Sequence, residues 1–145
     1  MGNAQGDTLQ QALFYSRHVH YRDTRCMTVA ILIHLGLSTR RIGFEYLIRT
    51  ILLFYEDPAR AHTQELYCAV AERLGPGVDG RQVEAAIRAV IAEAWEHKYV
   101  KVWKAYFPPY PGQKLKKPTN MEFISRISYF LELWDGCREE VMCDE

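Results

Sequence analysis

The stretch from Val83 to Trp95, VEAAIRAVIAEAW, constrains this chain more than any other. Its apolar residues Val83, Ala86, Ile87, Val90, Ile91, Ala94 and Trp95 recur at i, i+3, i+4, i+7, i+8, i+11 and i+12, the spacing of one stripe along an α-helix. That stripe is expected to face a core. The other face carries Arg81, Gln82, Glu84, Ala85, Arg88, Ala89 and Ala92, small side chains with a few hydrogen-bonding ones among them. Such a face is slim enough to enter a groove.

With 145 residues, 48% of them hydrophobic and 12% aromatic, the chain is expected to form one domain with its own core. Formal net charge is zero, which argues against a broad phosphate-binding surface, but the charges are segregated. Lys98 to Lys117 holds six lysines and no acids, and Pro118 to Glu145 holds seven acids against two arginines. Residues 1–22 read as a flexible arm with a short helix around Leu9 to Tyr15, 23–136 as the folded domain, and 137–145 as a frayed acidic tail.

Within the domain, Asp23 to Leu37 is nearly apolar all round through Met27, Val29, Ala30, Ile31, Ile33 and Leu37, as a central helix would be, and Gly36 marks its end. His34 on this helix reads as a hydrogen-bonded core or boundary histidine. Arg40 to Tyr55 forms a second helix with Ile42, Tyr46, Leu47, Ile51, Phe54 and Tyr55 inward, stopped by Asp57-Pro58. Thr63 to Leu74 forms a third, with Thr63 at an N-cap position.

Gly75-Pro76-Gly77 is the strongest turn signal in the sequence, and Asp79 after it is a good N-cap for the opening helix. A short helix, a glycine turn and a second helix with a polar outer face fit a helix-turn-helix. The pattern by itself fits a plain packed hairpin equally well. Beyond Trp95, lysines at 98, 101 and 104 alternate with Tyr99, Val102, Trp103, Tyr106 and Phe107, which suits either base stacking or a core with solvated lysines between its aromatics. For Trp103 and Phe107 the core reading is preferred. Four prolines between Pro108 and Pro118 predict an extended connection. Thr119 with Glu122 forms a capping box for a last helix whose buried face is Phe123, Ile124, Ile127, Phe130, Leu131 and Trp134, and Asp135-Gly136 is expected to end it. The fold class is therefore all-α, a bundle of five to six helices containing a helix-turn-helix.

No catalytic chemistry has residues to rest on. The sequence has no phosphate-cradling glycine loop, serine elbow, HExxH helix or paired-cysteine zinc site, and no cofactor motif. Cys26, Cys68, Cys137 and Cys143 read as thiols, His18-x-His20 as an exposed pair, and Glu93 with Glu96 as a solvated helix face. No long apolar run or signal peptide is present, so a cytoplasmic protein is expected.

Three local patterns resemble the C-terminal DNA-binding effector domain of the sporulation initiation response regulator of spore-forming bacteria. One runs from His34-Leu-Gly36 through Gly43-Phe-x-Tyr46-Leu47 to Tyr55-x-Asp57. A second is Leu66-Tyr67 followed by Val83-Glu84-x-Ala86-Ile87-Arg88-x-x-Ile91-x-x-Ala94-Trp95. The third, Lys117-Pro118-Thr119-Asn120-x-Glu122-Phe123-Ile124, is the most specific. The resemblance implies an all-helical bundle in which residues 80–97 form a recognition helix in the major groove of a promoter element. It places Gln82, Glu84 and Arg88 on the groove-facing side and Lys117 on the phosphate-facing edge. An arginine bidentate to guanine, or a glutamine to adenine, is the chemistry such a face would use.

This chain departs from the family where Gln82 and Ala85 stand in place of arginines that flank the valine-glutamate pair. Arg81 supplies one charge back. With Lys114, Lys116 and Lys117 these residues make up the expected DNA-binding set. The arm of about twenty residues leaves no room for a receiver domain, so no phosphorylation switch is expected. Expected partners are double-stranded DNA, a second copy on that DNA, and RNA polymerase or a related regulator. The competing expectation is a non-enzymatic interaction module that keeps the fold, has lost sequence-specific DNA binding and uses the aromatics from Trp103 to Tyr110. A continuous positive face over Arg81, Arg88 and Lys117, unbroken by Glu84 and Glu93, separates the two.

Overall fold

The computed structural model describes residues 24–60 and 63–143. The expected arm, its short helix and the His18-x-His20 pair lie outside them. The described residues form α1 (Thr24–His34), α2 (Ile42–Glu56), a 3-10 turn (Pro58–Arg60), α3 (Thr63–Leu74), α4 (Gly80–Glu96), α5 (Val100–Tyr106) and α6 (Asn120–Cys143), with no strand among them. The all-α class expected from the sequence is what the chain adopts.

The central helix is α2, not α1 as its apolar composition suggested. α2 packs against α1, α3, α4 and α6, and buries Phe44, Leu47, Ile48 and Ile51 among them. α1 lies at the side of the bundle against α2 and α6, and its Ile33 is 50% exposed. α1 also stops three residues short of Leu37. The amide of Gly36 donates to the Ile33 carbonyl at 2.9 Å and that of Leu37 to the Leu32 carbonyl at 3.0 Å, with Gly36 at φ +86°, which is the Schellman closure that terminates a helix on glycine. Ile42, expected to point inward, is the first residue of α2 and is 64% exposed. Its place at the helix start puts it beyond the reach of the facing helices.

Two features seat α4. A Cβ built on Gly43 would stand 2.1 Å from the Ala86 carbonyl oxygen, so only glycine lets α2 approach the α4 backbone this closely. At the N-terminus, Asp79 Oδ1 accepts the Gln82 amide and Gln82 Oε1 accepts the Asp79 amide, both at 2.9 Å, closing a capping box. The stripe then buries Val83, Ile87, Val90, Ile91 and Ala94.

α5 takes up the segment in which lysines alternate with aromatics. Trp103 and Tyr106 are buried, and Trp103 packs between Trp95 and Phe107, with ring centroids 5.5 and 5.6 Å away. Its indole Nε1 donates to the Leu35 carbonyl at 3.0 Å, satisfying a carbonyl left open at the end of α1. Arg126 Nε does the same for the Tyr106 carbonyl at 2.7 Å, which ties α5 to α6. α6 itself does not end at Asp135-Gly136 but continues to Cys143. Gly136 keeps a negative φ and is carried through the helix, at the usual entropic cost of glycine in that setting. The frayed tail expected from Cys137 onward is therefore corrected as far as Cys143.

Candidate nucleic-acid interface

The outward face of α4 is the surface on which the expected DNA-binding residues fall. Arg81, Gln82, Ala85, Arg88 and Ala89 are exposed, and Glu84 is partly buried at the edge of this face. Cap chemistry limits one of them. Because Gln82 Oε1 is engaged by the Asp79 amide, Gln82 offers only its amide nitrogen unless the cap opens, and a two-point contact to adenine needs both ends of the carboxamide.

Arg88 is likewise engaged. Its guanidinium donates to the Glu84 carboxylate one turn back along the helix, and this pair interrupts the positive face between Arg81 and Lys117. Glu93 does not face this surface as a free acid, since Arg41 Nη2 lies 2.7 Å from it and binds α4 to the start of α2. Lys98 is spent elsewhere too. Its Nζ donates to the Trp95 carbonyl at 3.1 Å and sits 3.8 Å from the centroid of the Trp95 ring, at the C-terminal end of α4 where a cation is favoured.

Alongside α4 the connection into α6 forms the second wall of a groove of about 370 Å³. Tyr67, Glu84, Arg88, Lys117, Thr119 and Asn120 line it. Asn120 Nδ2 donates to the Glu84 carbonyl at 3.1 Å and thereby fixes the α6 terminus against α4. Thr119 Oγ1 accepts the Glu122 amide at 3.2 Å and donates to the Glu122 carboxylate, so the expected cap is present with the hydroxyl, not the Thr119 amide, facing the carboxylate.

A family model described as the sporulation initiation factor Spo0A C terminal matches residues 28–131. The chain belongs to this family. It is a family of helical DNA-binding effector domains, so DNA binding and transcription regulation in sporulation are the functions with which the fold is associated. The three stretches that carry the resemblance now have structural meaning. Gly43 permits the α2–α4 contact, the Val83 to Trp95 stripe seats α4, and Lys117 to Asn120 builds the facing wall of the groove.

The lysines expected to act together are divided by the fold. Lys117 lies in the groove with Arg88, whereas Lys114 and Lys116 line a second cleft of about 470 Å³ with Phe107, Tyr110 and Arg126. The two clefts adjoin at Pro118. Tyr67 and Asn120 were absent from the expected set, although both stand inside the stretches that resemble the family. Of the aromatics from Trp103 to Tyr110, Trp103 and Tyr106 are in the core and Phe107 stacks on Phe123, while Phe107 and the exposed Tyr110 line the second cleft. Among the described residues no helix is long and apolar enough to cross a membrane.

Proposed function

We propose that α3, the turn at Gly75 to Asp79 and α4 act as a helix-turn-helix, with α4 as the recognition helix in the major groove of duplex DNA. The observation that carries this is the outward face of α4, exposed along Arg81, Ala85 and Arg88, with Lys117 brought beside it by the start of α6. The Glu84–Arg88 pair breaks the positive charge of this face, so the reading rests on its shape and exposure and not on a continuous positive surface. In this reading Arg81 and Arg88 supply guanine contacts, Gln82 its one remaining donor, and Ala85 a slim apolar contact. Glu84 sets the position of Arg88 on the helix face. Lys117 meets the phosphate backbone, and Lys114 and Lys116 extend that contact along the connector.

Titration of the chain with a duplex pool at increasing salt tests this directly. Affinity falls steeply as salt rises, and Arg88→Ala weakens the selected duplex by about tenfold or more, within the ~1–3 kcal/mol of a specific base contact. Absence of duplex binding at low salt would refute the reading.

A further inference from the structure

Tyr67 is 1% exposed, and among the described residues its hydroxyl makes no well-aligned hydrogen bond, the Asn120 carboxamide being the polar group within its reach. A buried hydroxyl without a partner forfeits a hydrogen bond it would make in water, so its retention calls for a use. Tyr67 belongs to the wall of the groove between α4 and the start of α6, with Glu84, Arg88, Lys117 and Asn120, and its hydroxyl lies buried beneath that wall. Burial pushes the phenol above its ordinary 10.0, with the adjacent Asn120 carboxamide drawing it partly back, so it remains a proton donor at any physiological pH.

Beside the Glu84 carboxylate that Arg88 pairs and the apolar Ile91 and Pro118, the groove offers further donors. α6 is long, and Thr119 caps only its third amide, that of Glu122, so the amides of Asn120 and Met121 have no acceptor within the helix. Both residues line the groove, at the end of α6 where the helix dipole favours negative charge. Lys117 adds a full charge at the rim. We infer that this groove is a seat for one phosphodiester group of the bound duplex, held by the α6 N-terminus and Lys117, with the Tyr67 hydroxyl as the buried donor that completes it. Seating the phosphate oxygen on Tyr67 requires the half-buried Asn120 side chain to give way, and its hydrogen bond to the Glu84 carbonyl and its contact with the Tyr67 hydroxyl are what yield. That bond joins phosphate capture to the part of α4 that carries the Glu84–Arg88 pair.

The inference rests on the recognition-helix reading but is separable from it. A duplex selected by the full chain from a random pool is prepared with a single neutral methylphosphonate linkage placed at each position in turn. For the wild type, one position costs about tenfold in affinity. Tyr67→Phe loses several-fold on the unmodified duplex and most of its sensitivity at that position, while its melting temperature is unchanged or higher because an unsatisfied hydroxyl has been removed. Lys117→Gln, at an exposed position outside the core, blunts the same linkage. Tyr67→Phe binding with wild-type affinity and wild-type sensitivity at every linkage overturns the inference and leaves the recognition reading intact. So does stabilisation of the wild type, and not of Tyr67→Phe, by inorganic phosphate with no linkage effect, which assigns the groove to a free anion. Failure to select any duplex refutes both.

Discussion

Glu84 holds Arg88. The carboxylate at one position of the outward face of α4 accepts a hydrogen bond from the guanidinium one turn later, while the Glu84 backbone carbonyl accepts from Asn120 at 3.1 Å. A basic residue on the helix proposed to face DNA is thus neutralised within its own helix and fixed in direction. Of the residues on that face, Arg81 is the cation without an acid partner among the described residues. The consequence is a surface with weaker non-specific attraction to DNA than its count of basic residues suggests, and with greater dependence on the geometry of one arginine.

Replacing Glu84 by glutamine releases that charge. Glu84→Gln is expected to raise affinity for arbitrary duplex several-fold at low salt and to steepen the dependence of log affinity on log salt by about one phosphate contact. Discrimination between selected and arbitrary duplex narrows in parallel. Because the pair lies at the surface, with the Arg88 side chain 63% exposed, folding stability changes by no more than about 0.5 kcal/mol. Anisotropy titrations at several salt concentrations with both duplexes measure all three effects.

Gly43 makes a stronger demand. An added Cβ meets the Ala86 carbonyl oxygen at 2.1 Å and the Val90 Cβ at 3.2 Å, atoms fixed to the α4 backbone, so no flexible group can move aside. Gly43→Ala is therefore expected to destabilise the fold by about 1–3 kcal/mol or more, against the usual gain of alanine over glycine in a helix. A urea midpoint for Gly43→Ala equal to wild type contradicts the close packing of α2 on α4.

Much of this was legible in the residues. The stripe from Val83 to Trp95 predicts both the helix and its buried side, because burial of a helix face imposes a period that the sequence must keep. Asp79 and Thr119 announce helix starts through local chemistry that needs no tertiary partner. Central position was not legible. α1 looks central by composition, yet Ile33 faces solvent, since the number of neighbours around a helix is decided by topology and not by its own side chains. α5 was missed because its seven residues are too few to show a period, and it exists through Trp103 on the Leu35 carbonyl and Arg126 on that of Tyr106, both long-range bonds. The division of Lys117 from Lys114 and Lys116 between two clefts, and the pairing of Arg88, belong to the same class of tertiary fact.

His34 makes stability depend on pH. Burial holds its imidazole below the ordinary 6.5, and its Nδ1 has no hydrogen-bond partner among the described residues. The unfolded chain then binds a proton that the folded chain refuses, so stability is full above pH 6.5 and is lost as pH falls through the folded value. His34→Leu removes this component, so its stability relative to wild type is expected to improve from pH 8 to pH 5.5. A separate loss follows at lower pH, where the Arg25 bond and the Arg49 bond hold Glu45 below its ordinary 4.5 and their contribution disappears as that carboxylate protonates. Urea midpoints for both proteins across this range distinguish the two windows. An unchanged difference between pH 8 and pH 5.5 rules out His34 as the source.

Gly136 tests the course of α6. Asp-Gly after a buried tryptophan is a common way for a helix to stop, and a helix stopping there on a left-handed glycine would resist substitution by a residue with a side chain. The structure instead runs α6 through Gly136 to Cys143, with Gly136 exposed, at a negative φ, and with open space where a Cβ would stand. Alanine in that setting gains helix propensity without a clash. Gly136→Ala is accordingly expected to raise stability by about 0.5–1 kcal/mol and to leave duplex affinity unchanged, as the position is remote in sequence from the groove beside Lys117. A glycine acting as a C-cap gives the opposite sign, with a loss of similar or greater size. Thermal and urea unfolding of the substituted chain therefore decides between a helix that ends beside Trp134 and one that carries its acidic residues two turns further.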